Sequence, residues 1–198
     1  MRISAGRFKG RQLKLPQNLQ VRPTAQKVKE ALFNILGDKI NDACFLELFS
    51  GSGNVGIEAF SRGARSVVLV ENNRACLKVI AANLKSLKLD YNYGLQGSPE
   101  MALRLLALGA SEAIEVLAQS GFKFDLIFLD PPYAEENSWR NCLLKISQYD
   151  ILKPHSLVIA ERGQTEVLPP ALAQLSLLLV KSYGQTHLAF YSRLPRHL

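Results

Sequence analysis

Apolar residues follow two rhythms along this chain. Short unbroken runs at 44–50 (CFLELFS), 66–71 (SVVLVE) and 124–129 (FDLIFL) end in turn residues and read as strands buried on both faces. Between them the spacing changes to three and four. Val28, Leu32, Ile35 and Leu36 form one such stripe, and Leu77, Ile80, Ala81, Leu84 and Leu87 another, each predicting an amphipathic helix. The predicted succession is a helix capped by Thr24 and stopped by Gly37, strand 44–50, helix 54–62, strand 66–71 and helix 73–88. It continues with a strand near 91–96, helix 99–119, strand 124–130, helix 136–149 and strand 157–162. Strict alternation of this kind predicts a parallel sheet with helices on both faces.

Both ends depart from the alternation. Residues 2–16 read as a short β-hairpin turning near Lys9-Gly10, anchored by Ile3, Phe8, Leu13 and Leu15. At the other end, strand-like segments 175–183 and 186–192 flank Gly184-Gln185 and predict a closing antiparallel hairpin. Segment 99–121 is longer than a simple crossover needs. Met101, Leu105 and Leu108, then Ile114 and Leu117 beyond Gly109, suggest an extended or broken helix whose stripe serves packing or a partner. The domain reading is a basic arm over 1–23 and one α/β domain over 24–198.

Charge changes the picture through its placement. Residues 1–30 hold eight basic side chains against the single acid Glu30, so the whole excess of +7 lies in the arm and the first helix. Residues 31–198 hold sixteen of each sign. A neutral body with a basic arm suits a polyanionic substrate, whose phosphates position it without choosing a base. A charge run is also what a solvated face looks like. Cys44, Cys76 and Cys142 are scattered and, with His155, His187 and His197, show no metal-ligand spacing. They fit a reduced cytoplasmic protein without a metal. No apolar run approaches a membrane span of about 20 residues, and the start lacks a signal-peptide core.

Chemistry concentrates in two turns. The strand at 124–129 runs into Asp130-Pro131-Pro132-Tyr133. Two prolines stiffen the turn and remove two N–H donors, presenting a carboxylate, a free carbonyl and an aromatic face together. An exocyclic amino group on a flat base needs two acceptors and a ring to stack on. Asp and Pro are also ordinary turn residues, so context has to decide. That context is Gly51-Ser52-Gly53-Asn54-Val55-Gly56 after the strand at 44–50, where glycines let backbone approach a cofactor and a helix opens with free N–H groups. The same spacing describes a dinucleotide site, so a nicotinamide dehydrogenase has to be weighed. Glu47, three residues before the turn, suits a cationic amino-acid moiety and would serve a pyrophosphate poorly. Glu71, ending the next strand, is placed for ribose hydroxyls in either case.

With these residues the chain resembles S-adenosylmethionine-dependent amino-group methyltransferases, and most closely the bacterial RsmD family. The resemblance spans Arg2 to Gly6, Lys9-Gly10-Arg11, Arg22-Pro23-Thr24, the helix from Val28 to Asn34, Leu48 to Gly53, Gly56 to Ala59, Ser61 to Ala64, and Asp130 to Tyr133. It implies a Rossmann-like class I methyltransferase fold with a seven-stranded, mostly parallel sheet and a terminal antiparallel hairpin. It also implies methyl transfer to the N2 amino group of a guanine in small-subunit ribosomal RNA. Asp130, Pro131 and Tyr133 would be catalytic. Glu47, Phe49, Ser50, Gly51, Ser52, Gly53, Glu71 and Asn72 would hold S-adenosylmethionine, with Ser98 at the position that often carries Asp or Asn near the adenine. Arg7, Arg22, Thr24, Lys27, Lys29, Pro132 and Tyr133 would meet the RNA, free or in an assembled subunit. Adenine N6, a glutamine amide, and a non-catalytic RNA-binding assembly role are the rival readings.

Overall fold

The computed structural model describes residues 1–16, 24–96, 102–131, 138–163 and 169–193. Its strands are β1 (Cys44–Leu48), β2 (Ser66–Val70), β3 (Asn92–Tyr93), β4 (Leu103–Leu106), β5 (Phe124–Leu129), β6 (Leu152–Gly163), β7 (Ala171–Leu172), β8 (Leu175–Tyr183) and β9 (Thr186–Arg193). The helices are α1 (Gln26–Leu36), α2 (Asn54–Ser61), α3 (Arg74–Ser86), α4 (Ala110–Gln119) and α5 (Ser138–Gln148). One sheet joins all the strands in the order β3-β4-β2-β1-β5-β6-β9-β8-β7. The pairs β3–β4, β4–β2, β2–β1, β1–β5 and β5–β6 are parallel, while β6–β9, β9–β8 and β8–β7 are antiparallel. This is the α/β class I methyltransferase fold, with nine strands rather than the expected seven. The two strands beyond those expected are β4, inside the sheet, and β7, a two-residue strand at one edge.

The larger correction lies in 91–119. The expected helix over 99–119 is instead strand β4 followed by α4, and the expected strand near 91–96 shrinks to the edge strand β3. Leucines at 103, 105 and 106 satisfy either period over so short a run, and Arg104 among them hid a fully buried strand. Its guanidinium donates to the carbonyls of Gly94 and Gln96 at 3.4 and 2.6 Å and stacks over Phe122. Backbone carbonyls thus make an arginine tolerable inside the sheet.

Alternation along the strands divides the core. On β1, Phe45 packs with α1, α2, α3 and the arm, whereas Leu46 and Leu48 pack with α4 and α5. Gly56 is where α2 crosses the sheet most closely. A Cβ there would stand 2.4 Å from Leu69 Cδ2 and 2.8 Å from Glu47 Oε2. Gly37, at φ 51°, ends α1 as expected.

The amino-terminal arm folds back on itself through the Arg2–Gln12 antiparallel bridge and is fastened along its length. Ile3 and Leu13 are buried in the core, and the backbones of Arg7 and Phe8 donate to Ser61. Gly6 lies so close to the end of α2 that a Cβ would sit 1.8 Å from the Ser61 carbonyl oxygen. The strongest tie is the Glu58 carboxylate on α2. It accepts from the Ser4 amide and hydroxyl at 2.9 and 2.7 Å, and from the Ala5 amide at 3.1 Å. Lys29 Nζ pairs with it at 3.0 Å and Arg62 Nε at 2.9 Å.

Burial alone would raise the Glu58 carboxyl, but the Ser4 hydrogen bonds and the Lys29 charge outweigh it and hold the group below the usual carboxylate range. A depressed acid stabilises the fold fully above its unfolded pKa of about 4.3, and that stabilisation is lost as pH falls through the folded value. Lys29→Ala, which leaves the buried carboxylate without its fully buried cation, should lower the urea-unfolding free energy at pH 7 by about 3–5 kcal/mol. It should also shift acid unfolding to higher pH. A loss below about 1 kcal/mol would contradict the role given to this pair.

Candidate active site

The first wall of the site is the turn after β1. Phe49 adopts a left-handed backbone, φ 61°, where a bulky residue is strained, and this aims the turn across the carboxyl ends of β1 and β2. Glu71 then fixes the loop from beneath. Its Oε2 accepts from Gly51 N–H at 2.7 Å, and its Oε1 accepts from the amides of Asn72 and Asn73 at 2.9 and 2.8 Å. Oε1 has both lone-pair sites taken, so Oε2 keeps the acceptor capacity left for the cleft that Glu71 lines. Ser50 Oγ bridges the same strands, donating to the Glu47 carbonyl and accepting from Val70 N–H.

Glu47 takes the first amides of α2, accepting from Val55 and Gly56 N–H at 3.3 and 3.0 Å. Burial pushes its carboxyl up to about 8 against those two donors. Burial thus favours its neutral form, which the sequence reading of a carboxylate for a cationic amino-acid moiety did not foresee.

The second wall comes from β5. Asp130 emerges at its carboxyl end, and Pro131 is buried beside it. Thr24 does not cap α1: the residue before that helix is Ala25, and no side chain caps it. The Thr24 hydroxyl instead donates to Asp130 Oδ2 at 3.3 Å. Burial, then the neighbouring Glu161 carboxylate, hold the Asp130 carboxyl well above the usual range, while the Thr24 hydrogen bond and the Arg162 charge pull it down. Two walls, 80 residues apart in sequence, thus face one cleft of about 580 Å³.

That cleft gathers most of the expected site residues: Glu47, Phe49, Ser50, Gly51, Ser52, Glu71, Asn72, Thr24, Asp130 and Pro131 all line it. Gly53 serves packing instead, since a Cβ there would press on Ile57, Leu69 and Ile80. Arg22, Ser98, Pro132 and Tyr133 lie outside the described residues. The match that suggested Ser98 moves, however. The strand beside β2 is β4, and Gly109, Ala110 and Ser111 after it line the cleft. A strand–glycine–helix junction at 106–110, the pattern already used at 48–54, was the signal for them.

Of the expected RNA contacts, Lys29 is withdrawn. It is fully buried, and its three N–H bonds go to Glu58, the Arg2 carbonyl and Asn54 Oδ1, leaving none for a phosphate. Lys27 is exposed on α1, and Arg7 is exposed with its guanidinium 4.0 Å over the Phe60 ring. The arm also reaches the cleft directly, through Leu15 and Pro16. Among the described residues no group of three or more His, Cys, Asp or Glu is placed to hold a metal, and no helix is long and apolar enough to cross a membrane.

The cleft carries a feature that asks for a ligand. Asn54, at the start of α2, is buried and lines it; Lys29 occupies its Oδ1, and its Nδ2 has no partner among the described residues. An unmet donor beside the amino end of a helix suits the carboxylate of an amino-acid moiety. Glu71 faces where hydroxyls would come, so the donor set fits an amino-acid-bearing nucleoside.

Residues 1–192 match the family model described as Conserved hypothetical protein 95. The chain is 32% identical over 204 residues to Ribosomal RNA small subunit methyltransferase D of Escherichia coli, covering 98% of this chain and 90% of that one. It is 33% identical over 193 residues to YlbH of Bacillus subtilis, covering 98% and 99%. The solved structure of Escherichia coli yhhF superposes with a TM-score of 0.80 at 30% identity, across 99% of both chains. On its sequence from end to end and on the architecture of its sheet, the chain belongs to the RsmD family.

Proposed function

We propose that this chain transfers a methyl group from S-adenosylmethionine to the exocyclic N2 amino group of a guanine in small-subunit ribosomal RNA. The observation that carries the reading is the shared cleft, where the Asp130 carboxylate faces a glycine turn fixed by Glu71. The name of the Escherichia coli relative supports ribosomal RNA as the substrate class, and the basic arm at the cleft rim supports a polyanion.

When bound, S-adenosylmethionine supplies an electrophilic methyl on a sulfonium. The chain's own residues do the rest. Asn54 Nδ2 would hold the carboxylate end, Glu71 would take ribose hydroxyls, and Gly109 to Ser111 would border its base. Asp130 and the Pro131 carbonyl accept from the two N–H bonds of the target amine. This turns a lone pair otherwise delocalised into the ring toward the methyl, and alignment of that kind is where orientation contributes most. Thr24 occupies one side of Oδ2 and so restricts which way the Asp130 carboxylate faces. The proton released on transfer can pass to Asp130, whose raised pKa makes it a better base than an ordinary carboxylate. Tyr133 would stack on a base swung out of its helix.

The substrate is tested by incubating the protein with labelled S-adenosylmethionine and small subunits, their naked RNA, DNA or release factor. Label on guanine N2 of small-subunit RNA is expected. Label on adenine N6 or a glutamine amide would overturn the reading.

Asp130→Ala should lower turnover by roughly 10²–10⁴-fold with cofactor affinity retained. Because the carboxylate is the working form, the wild-type rate should fall as pH drops through the raised Asp130 value. Asp130→Asn, which keeps an acceptor oxygen, should lose less and show no such limb. Thr24→Val should move the limb to higher pH, since its hydroxyl favours the charged form. An unshifted profile in both variants would contradict these roles. Glu71→Ala should weaken S-adenosylmethionine binding in calorimetry by about tenfold or more, the loss of a charge-assisted hydrogen bond; unchanged affinity would remove Glu71 from the site.

A further inference from the structure

A second concavity of about 540 Å³ lies away from the cleft, at the far end of α3. Ala81, Ala82, Lys85, Lys88, Asp90 and Tyr91 line it. Both lysines are exposed, and Tyr93, two residues beyond Tyr91, is 62% exposed on the edge strand β3. Small residues, two exposed ammonium groups and phenol rings suit a sugar–phosphate strand with a base to stack. Asp90 is the acid among the lining residues.

The arm connects this groove to the cleft. Leu15 and Pro16 line the cleft, and Lys14 is pinned to Asn83 by backbone hydrogen bonds of 2.8 and 3.0 Å. The same Asn83 amide donates to the Ser52 carbonyl of the glycine turn. One turn further along α3, the Arg11 guanidinium donates to the Ser86 carbonyl at 2.9 Å, next to Lys85. Lys14, Arg11, Lys85 and Lys88 therefore follow one another from cleft to groove over a fixed surface. The basic excess read from residues 1–30 is continued by lysines that the sequence tally placed in the neutral body.

We propose that the α3 groove binds the phosphate backbone of the substrate RNA at a distance from the target base. It acts as a second docking point that orients the strand entering the Asp130 cleft. This rests on the RNA reading above, with Lys85 and Lys88 contributing affinity and Tyr91 and Tyr93 stacking.

The test is filter binding of naked small-subunit RNA across a salt series, with wild type, Lys85→Ala/Lys88→Ala and the control Lys181→Ala, an exposed lysine on β8. The double variant should bind about tenfold more weakly at moderate salt. Its slope of log affinity against log salt should be shallower by roughly 1.4–1.8, two phosphate contacts' worth. Calorimetric S-adenosylmethionine affinity and turnover at saturating RNA should stay at wild-type levels, and Lys181→Ala should leave the slope unchanged. An unchanged slope in the double variant overturns the groove while leaving the methyltransferase reading intact. So does a defect seen with assembled subunits alone, which would mean that the groove meets ribosomal protein. Failure of the wild type to methylate either naked RNA or assembled subunits would instead sink the parent reading.

Discussion

The Glu58 carboxylate sits where three separate pieces of chain converge, and it accepts a donor from each of them. Ser4 and Ala5 of the arm, Lys29 of α1 and Arg62 just past α2 all direct donors at its two oxygens. A buried ion is costly unless its hydrogen-bonding capacity is filled, so the cluster is an all-or-none arrangement: arm, first helix and second helix dock together or leave a charge stranded. Lys29 extends the arrangement to Asn54, the first residue of α2, and so to the floor of the cleft. The arm, α1 and the start of α2 are thereby packed together beside the cleft.

A second constraint works on the opposite side of the glycine turn. Glu71 holds Gly51, Asn72 and Asn73 by their amides, while Asn83 ties the Ser52 carbonyl to the arm. The turn is thus held from the sheet and from α3 at once, and a ligand entering it meets backbone already in position. Preorganisation of this kind lowers the ordering cost of binding. Strain at Phe49 is tolerated because these neighbours overdetermine the loop.

Much of this was legible in the residues. Strands buried on both faces announce themselves as unbroken apolar runs, so β1, β2 and β5 were placed within a residue or two, and with them both turns that build the cleft. What the sequence concealed had physical causes. A four-residue strand containing Arg104 cannot be distinguished by period from a helix, and its misreading put the end of the third crossover strand near Ser98 instead of before Gly109. Thr24 carries the side chain of a helix cap, and only the fold shows its hydroxyl turned to Asp130 over 106 positions of sequence. Lys29 counted as surface charge because most lysines are; the Glu58 partner that draws it inside is 29 positions away. Nothing local in the sequence encodes such pairings.

The account comes down to a carboxylate aimed at an aromatic amine beside a methyl donor. Mass analysis of guanines in small-subunit RNA reads that claim out most directly, using cells lacking the protein and cells complemented with wild type or Asp130→Ala. One N2-methylguanine should be missing from the deleted cells, return in full with the wild-type chain, and stay absent with Asp130→Ala although that variant folds and binds S-adenosylmethionine. An unchanged set of methylguanines in the deleted cells, or full restoration by Asp130→Ala, would contradict it.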